Sequence, residues 1–373
     1  MHWSWKLAEV AGIEVKVHAT FLLLLLWIGG AAWAEQGSPL AALGGVAFAC
    51  VLFGIVVLHE LGHATAARHY GIRTRDITLL PIGGVARLER MPKEPRAELV
   101  VALAGPAVNL VLALALAATM LALGQSLAPP DPTVASGSLL ARLLWVNVAL
   151  LLFNLLPAFP MDGGRVLRAL LAMRTDHARA TRIAARLGQG LALVIGFAGL
   201  FGSPLLVFIA LFVWLGAQSE SAAEQMHDMM AGLHVDDAMV RVFDVLTPGD
   251  SLATASAHLL RGFQAHFPVV DGDRVAGLLT YDGLVRGLTE HAPGTCIDAV
   301  MSPVPLRVSP RDPLEHAFER MAEHQLRVAP VVDGTQLVGL LTLEGLGELV
   351  TLRSAIARRA AHGRGRAPRM APT

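Results

Sequence analysis

From about residue 18 to residue 219 the hydrophobic positions fall in long runs separated by short polar stretches. Six runs stand out, at roughly 18–34, 41–63, 97–124, 139–157, 185–201 and 204–219. Several approach the roughly 20 residues that a helix needs to cross a bilayer. They predict an α-helical polytopic membrane domain over residues 1–220, with six transmembrane helices. Gly202-Ser203-Pro204 reads as the tight turn between the last two. The first run also has the outline of a cleaved leader, with Lys6 and Lys16 before it and Ala32-Trp33-Ala34 after it. Trp3 and Trp5 favour a retained segment with an interfacial anchor instead.

Beyond residue 220 the composition becomes that of a soluble domain. Short β-rich runs alternate with helical ones, such as Ser251–Gly262 and Pro313–His324. This part repeats itself at an offset of 62: Met239 matches Met301, Pro268 matches Pro330, Gly277 matches Gly339 and Thr280 matches Thr342. Such a duplication implies two modules that share a core. The expected division is a membrane domain at 1–220, a linker at 221–234, two α/β repeats at 235–290 and 297–352, and an unstructured basic tail at 353–373. The tail holds six arginines.

Of the 373 residues 54% are hydrophobic and only 16% charged, proportions foreign to soluble proteins. The formal net charge is zero, so no global field favours nucleic acid. The two cysteines, Cys50 and Cys296, lie in different domains. That excludes a disulfide framework and a cysteine zinc cluster, and leaves His and carboxylate as metal donors. Loop charges give a sidedness. Segment 64–96 carries Arg68, Arg73, Arg75, Arg87, Arg90, Lys93 and Arg96, and segment 165–186 carries six arginines. The loops at 35–42, 125–138 and 202–204 carry no Lys or Arg. The positive-inside rule then places both termini in the cytoplasm of a multi-pass protein of the cell (inner) membrane.

One motif carries chemistry. His59-Glu60-Leu61-Gly62-His63 ends the second apolar run. On a helix, positions i and i+4 share a face, so this pentapeptide supplies two imidazole ligands with a carboxylate beside them. Ionisable groups at membrane depth are costly and point to function. A catalytic zinc takes three protein ligands and keeps a position open. The third is expected from the cytoplasmic end of another span. Asn154 through Gly164 contains Pro157, Pro160, Gly163 and Gly164, which break the fourth span and let Asp162 turn toward the metal. Glu60 is then the general base, and Asn154 a donor to the oxyanion or to the substrate backbone. His18 reads as an interfacial histidine, and Asn109 as glue between helices.

These residues resemble the site-2 protease family of intramembrane zinc metalloproteases. The matching pieces are His59-Glu60-Leu61-Gly62-His63, the Gly83-Gly84 loop, Gly105-Pro106 with Asn109, and Asn154 through Asp162-Gly163. The resemblance implies one zinc held by His59, His63 and Asp162, with Glu60 catalytic, and a substrate that is itself a membrane protein in the lipid bilayer. The duplicated part resembles a tandem CBS-domain pair, a family that often binds adenine nucleotides between its repeats. Where nucleotide-binding members carry a ribose-contacting Asp, this chain has Gly283 and Gly345. A homodimerisation or gating role is therefore expected in place of a strong adenylate site. The rival reading is a CBS-regulated transporter or channel, with the intramembrane His and Asp serving ion passage. The membrane half shows none of the internal repeats common in transporters, and a transporter has no need of Glu60 between two ligands.

The segment Ile77–Val85 reads as a strand and turn that could present an edge to an unwound substrate.

Overall fold

The computed structural model describes residues 3–81, 83–88, 92, 94–129, 138–262 and 264–364. They form two compact units that divide between Glu224 and Gln225.

The first unit opens with a hairpin, β1 (Ser4–Val10) and β2 (Ile13–His18), turned by Ala11 and Gly12 at φ 54° and 79°. Positive φ at both central residues suits a tight hairpin. The period-2 alternation of Ile13, Val15 and Val17, all buried, against Glu14, Lys16 and His18 predicts a strand here; read only as a leader or anchor, the segment hides it. The chain continues as α1 (Ala19–Gln36) and α2 (Pro39–His69), then β3 (Thr74–Leu80) and β4 (Gly83–Leu88). The four strands make one sheet, ordered β1-β2-β3-β4, with β2 and β3 parallel and β4 at the edge. The expected strand and turn at 77–85 are present; Ile82 lies outside the described residues.

Asp76 pins this sheet. Its buried carboxylate accepts from Lys16 Nζ at 2.8 Å on β2 and from Arg87 Nε at 2.7 Å on β4. The Arg87 guanidinium, then Lys16, hold its pKa down to about 2. A folded pKa below the unfolded value stabilises at higher pH, and the contribution is lost as pH falls toward 2. A gap of this size is worth about 2 kcal/mol. Thermal unfolding of the detergent-solubilised protein between pH 5 and pH 2 is expected to show the stability advantage over Asp76→Asn narrowing by about that much. Parallel curves would remove Asp76 from the acid response.

Next come α3 (Pro95–Ala122), α4 (Leu139–Asn154), α5 (Asp162–Ala172), α6 (His177–Phe201) and α7 (Pro204–Met230). Among the described residues five helices, α1, α2, α3, α6 and α7, are long and apolar enough to cross a membrane. The sixth expected span is α4, which has only 16 residues. That is about 24 Å of helix against a hydrocarbon core of about 30 Å. It stops at Asn154 rather than 157 because Pro157 cannot continue the hydrogen-bond ladder. The outward faces expose Leu23, Leu26, Trp27, Leu114, Leu121, Phe197, Leu200 and Phe208, while small residues such as Ala64, Ala67, Ala102, Ala184 and Ala185 are buried. Large apolar groups outside and small ones between helices is the packing expected in lipid.

Residues 221–230, expected as part of a linker, are helical, and the two units divide among them. These residues continue α7, since Ala222, Ala223, Glu224, Gln225 and Met226 are good helix formers.

The second unit holds α8 (Leu252–Arg261), the hairpin β5 (Phe267–Asp271) and β6 (Arg274–Leu279), and α9 (Tyr281–Glu290). The second repeat follows as α10 (Leu314–Glu323), β7 (Val328–Asp333), β8 (Gln336–Thr342) and α11 (Leu343–Arg364). Thr280 and Thr342, matched in the repeat, do the same work: each hydroxyl accepts from the backbone N–H three residues on, at the start of the following helix. The repeats exchange their leading segments. Val235 packs with Leu306, Val308 and Leu314, while Ile297 packs with Leu246, Leu252 and Leu279. The sulfur of Met239 fills the space beside Gly339, and that of Met301 the space beside Gly277. Each core is therefore completed by the other repeat. Helix α11 runs past residue 352, where an unstructured tail is expected; Ala, Leu and Arg over 352–361 favour helix. Residues 365–373 lie outside the described residues.

Candidate metal centre and active site

His59 and His63 stand one turn apart on α2, their rings edge to face with centroids 4.7 Å apart. The two Nε2 atoms are 3.1 Å from each other. Asp162 Oδ2 completes a triangle, 3.1 Å from His59 Nε2 and 3.2 Å from His63 Nε2. All three side chains are buried. The donors fit a cation. Tetrahedral ligands at about 2.0–2.1 Å from zinc stand about 3.3 Å from one another, close to the edges seen here. His63 Nδ1 donates to the Val101 carbonyl at 2.7 Å, which leaves the Nε2 lone pair facing its two neighbours. Two imidazole nitrogens and a carboxylate oxygen pressed together out of water repel unless a positive charge lies between them. Among the described residues this is the one group of three or more His, Cys, Asp or Glu so arranged. His18 is elsewhere: its Nδ1 accepts from Thr20 N–H at the start of α1.

The close approach of α3 is set by glycine. Gly62 on α2 faces the Ala104 carbonyl, and a Cβ there would sit 2.8 Å from that oxygen. Gly105 on α3 faces the imidazoles, and a Cβ there would stand 2.3 Å from His63 Nε2 and 2.7 Å from His59 Nε2. Asn109, one turn further on, does serve as glue, but through its backbone: Asn147 Nδ2 of α4 donates to the Asn109 carbonyl at 2.7 Å.

Glu60 points to a different wall. A Cβ on Gly84 would lie 2.9 Å from Glu60 Cγ, so the edge strand β4 runs directly against the carboxylate arm. Glu60 stands outside the donor triangle.

Asp162 is the first residue of α5, not the frayed end of a span. The turn between α4 and α5 folds back on itself, with Ala158 N–H donating to Leu156 O at 2.7 Å and Met161 N–H to Ala158 O at 3.1 Å. Gly163 and Gly164 make that possible: a Cβ on the first would sit 2.2 Å from Leu156 O, and on the second 2.6 Å from Ala158 C. Glycines from two further helices cradle the turn, Gly188 of α6 against Ala158 and Gly216 of α7 against Pro160. Asn154 closes α4, half-buried, and among the described residues it makes no hydrogen bond to the triad or to Glu60. The Val101 carbonyl was invisible in the sequence, because a backbone acceptor carries no residue signature.

A family model for peptidase family M50 matches residues 47–130 and 130–197, and one for the CBS domain matches 235–290 and 297–346. The chain is 34% identical to zinc metalloprotease MJ0392 of Methanocaldococcus jannaschii, over 92% of this chain and 94% of that one. It is 34% identical to Rip3 of Mycobacterium tuberculosis over 92% of each. A solved site-2 protease from Methanocaldococcus jannaschii aligns with 59% of this chain and 95% of its own, at 37% identity and a TM-score of 0.44. The transporter reading finds no counterpart among these relatives. The chain belongs to peptidase family M50, the site-2 protease family, and is an integral membrane zinc metalloprotease carrying a tandem CBS pair.

Proposed function

We propose that the chain is an intramembrane endopeptidase that hydrolyses a peptide bond within or next to the transmembrane segment of a membrane-protein substrate. The observation that carries this reading is the buried triangle of His59 Nε2, His63 Nε2 and Asp162 Oδ2, formed by a helix long enough to span and the start of α5. A zinc ion held there would polarise the scissile carbonyl and make water nucleophilic near neutral pH. Glu60 accepts the proton that the attacking water loses and passes it to the leaving amine. Asn154, at the mouth of the turn that bears Asp162, donates to the oxyanion or to the substrate backbone.

A substrate helix must unwind before an amide can reach the triad. Among the described residues strand β4 is an edge of its sheet, beside Glu60, and an extended substrate would be held by pairing with it. Val85→Pro removes one backbone donor from β4 and is expected to slow cleavage while zinc content stays at wild type. Unchanged cleavage with zinc retained would count against edge pairing. The arginine-rich segments at 64–96 and 165–186 support a cytoplasmic placement of the site and of both termini, in a cell (inner) membrane. Counting the short α4 gives six crossings, which is consistent with that sidedness. The CBS pair serves as a cytoplasmic homodimerisation or gating module; Gly283 and Gly345 argue against a strong adenine-nucleotide site.

The function is tested with Asp162→Asn in cells. The variant is expected to lose zinc on purification, and one or more membrane proteins are expected to accumulate at full length while their fragments disappear. Equal membrane proteomes in wild-type and variant cells, with zinc absent only from the variant, would refute proteolysis.

A further inference from the structure

We propose that Arg168 is a positioning residue for Asp162, acting through α5 and the turn before it; this rests on the metal-centre reading above. Arg168 is six residues beyond Asp162 on α5. Six residues carry a side chain about 9 Å along the axis and about 240° around it, so the two groups leave the helix on different faces. Asp162 turns to α2, and Arg168 turns to α3, α7 and the turn before α5.

Arg168 is itself buried, and so is Glu98, its partner at the start of α3. Arg168 Nε and Nη2 both reach Glu98 Oε1 at 2.6 Å, at the start of α3. Nη1 donates to Glu220 Oε1 on α7. The guanidinium carbon lies 5.1 Å from the ring centroid of Phe159, three residues before Asp162 and wholly buried. One side chain thus ties α3, α7 and the turn that delivers the third ligand. Beside it, His177 on α6 lies 3.4 Å from Glu98 Oε2 and 2.9 Å from Glu224 Oε1 on α7. Burying several charges costs far more than an apolar filling of the same space, so stability alone is a poor account of the cluster. Asp162 needs such an anchor. Among the described residues its carboxylate meets only the two imidazoles, so its position is set by where α5 is held. The planar fork of arginine fixes direction as well as charge, which lysine cannot do.

The test uses the full chain in detergent micelles. Zinc affinity is read by competition with a chelator, and ligand geometry by the visible bands of the cobalt-loaded protein. Arg168→Gln combined with Glu98→Gln removes the pair without leaving a buried lone charge. It is expected to weaken zinc binding by about tenfold or more, the usual cost of losing an orienting partner, and to weaken or shift the cobalt bands. Arg168→Lys is expected to fall between the double variant and wild type. Zinc affinity and cobalt bands matching wild type in the folded double variant would overturn the proposal. Should that variant fail to fold, Glu220→Gln decides, because Glu220 is no member of the triad and is partly exposed: a measurable loss of zinc affinity supports positioning, and wild-type affinity overturns it. Asp162→Asn is the control; if it binds zinc as wild type does, the metal-centre reading fails instead.

Discussion

Replacing Glu60 with Gln is expected to abolish peptide hydrolysis while leaving zinc bound. The amide has the size and reach of the carboxylate, so the packing of Cγ against Gly84 is kept. What disappears is the acidic side chain next to His59 that stands outside the donor triangle. General-base catalysis supplies about 10²–10⁴ in rate, which is about 3–5 kcal/mol of barrier. The donor triangle does not include Glu60, so one zinc per chain should remain, in contrast to Asp162→Asn, which opens one corner of the triangle. Single-turnover cleavage of a transmembrane peptide, together with the metal content of the same preparation, separates the two variants. A rate for Glu60→Gln within tenfold of wild type would show that another group takes the proton.

The parts of the site that were legible in the sequence are those with local geometry. His59 and His63 meet because α-helical spacing puts i and i+4 together, whatever surrounds them. Asp162 could be picked out because two prolines and two glycines interrupt an apolar run, and irregular backbone at that depth needs a reason. Other features depend on partners distant in sequence. Lys16 and Asp76 meet only once β2 and β3 pair across the α1–α2 connection. Arg168 reads as one more loop arginine until α3 and α7 close over it. The exchanged segments of the repeats leave no trace in an alignment at offset 62, since matching residues show duplication and not which copy each one packs against. Helix ends were misplaced where hydropathy was used as the ruler: α6 begins at His177 and α7 continues to Met230 through polar helix formers.

Gly105→Ala is expected to cost the enzyme its metal. On propensity alone the change favours α3, since alanine exceeds glycine in a helix interior by about 1 kcal/mol. Sterics decide the other way. The added methyl would lie 2.3 Å from His63 Nε2 and 2.7 Å from His59 Nε2, far inside contact distance. The His63 ring cannot yield cheaply, because it is tethered through Nδ1 to Val101 on the same helix as the intruding methyl. Nor can the helices separate without opening the contact of Gly62 with Ala104. The methyl occupies the face of the triangle where the ligand lone pairs converge, so the loss should exceed the about tenfold to hundredfold typical of orienting groups. Gly54→Ala on α2 is the matched control: nothing lies within 4 Å of its Cβ position, and zinc binding and cleavage should be unchanged. Zinc titration of both variants checks the contrast. Full-affinity binding by Gly105→Ala would mean that α2 and α3 stand further apart at the metal centre than the glycine contacts require.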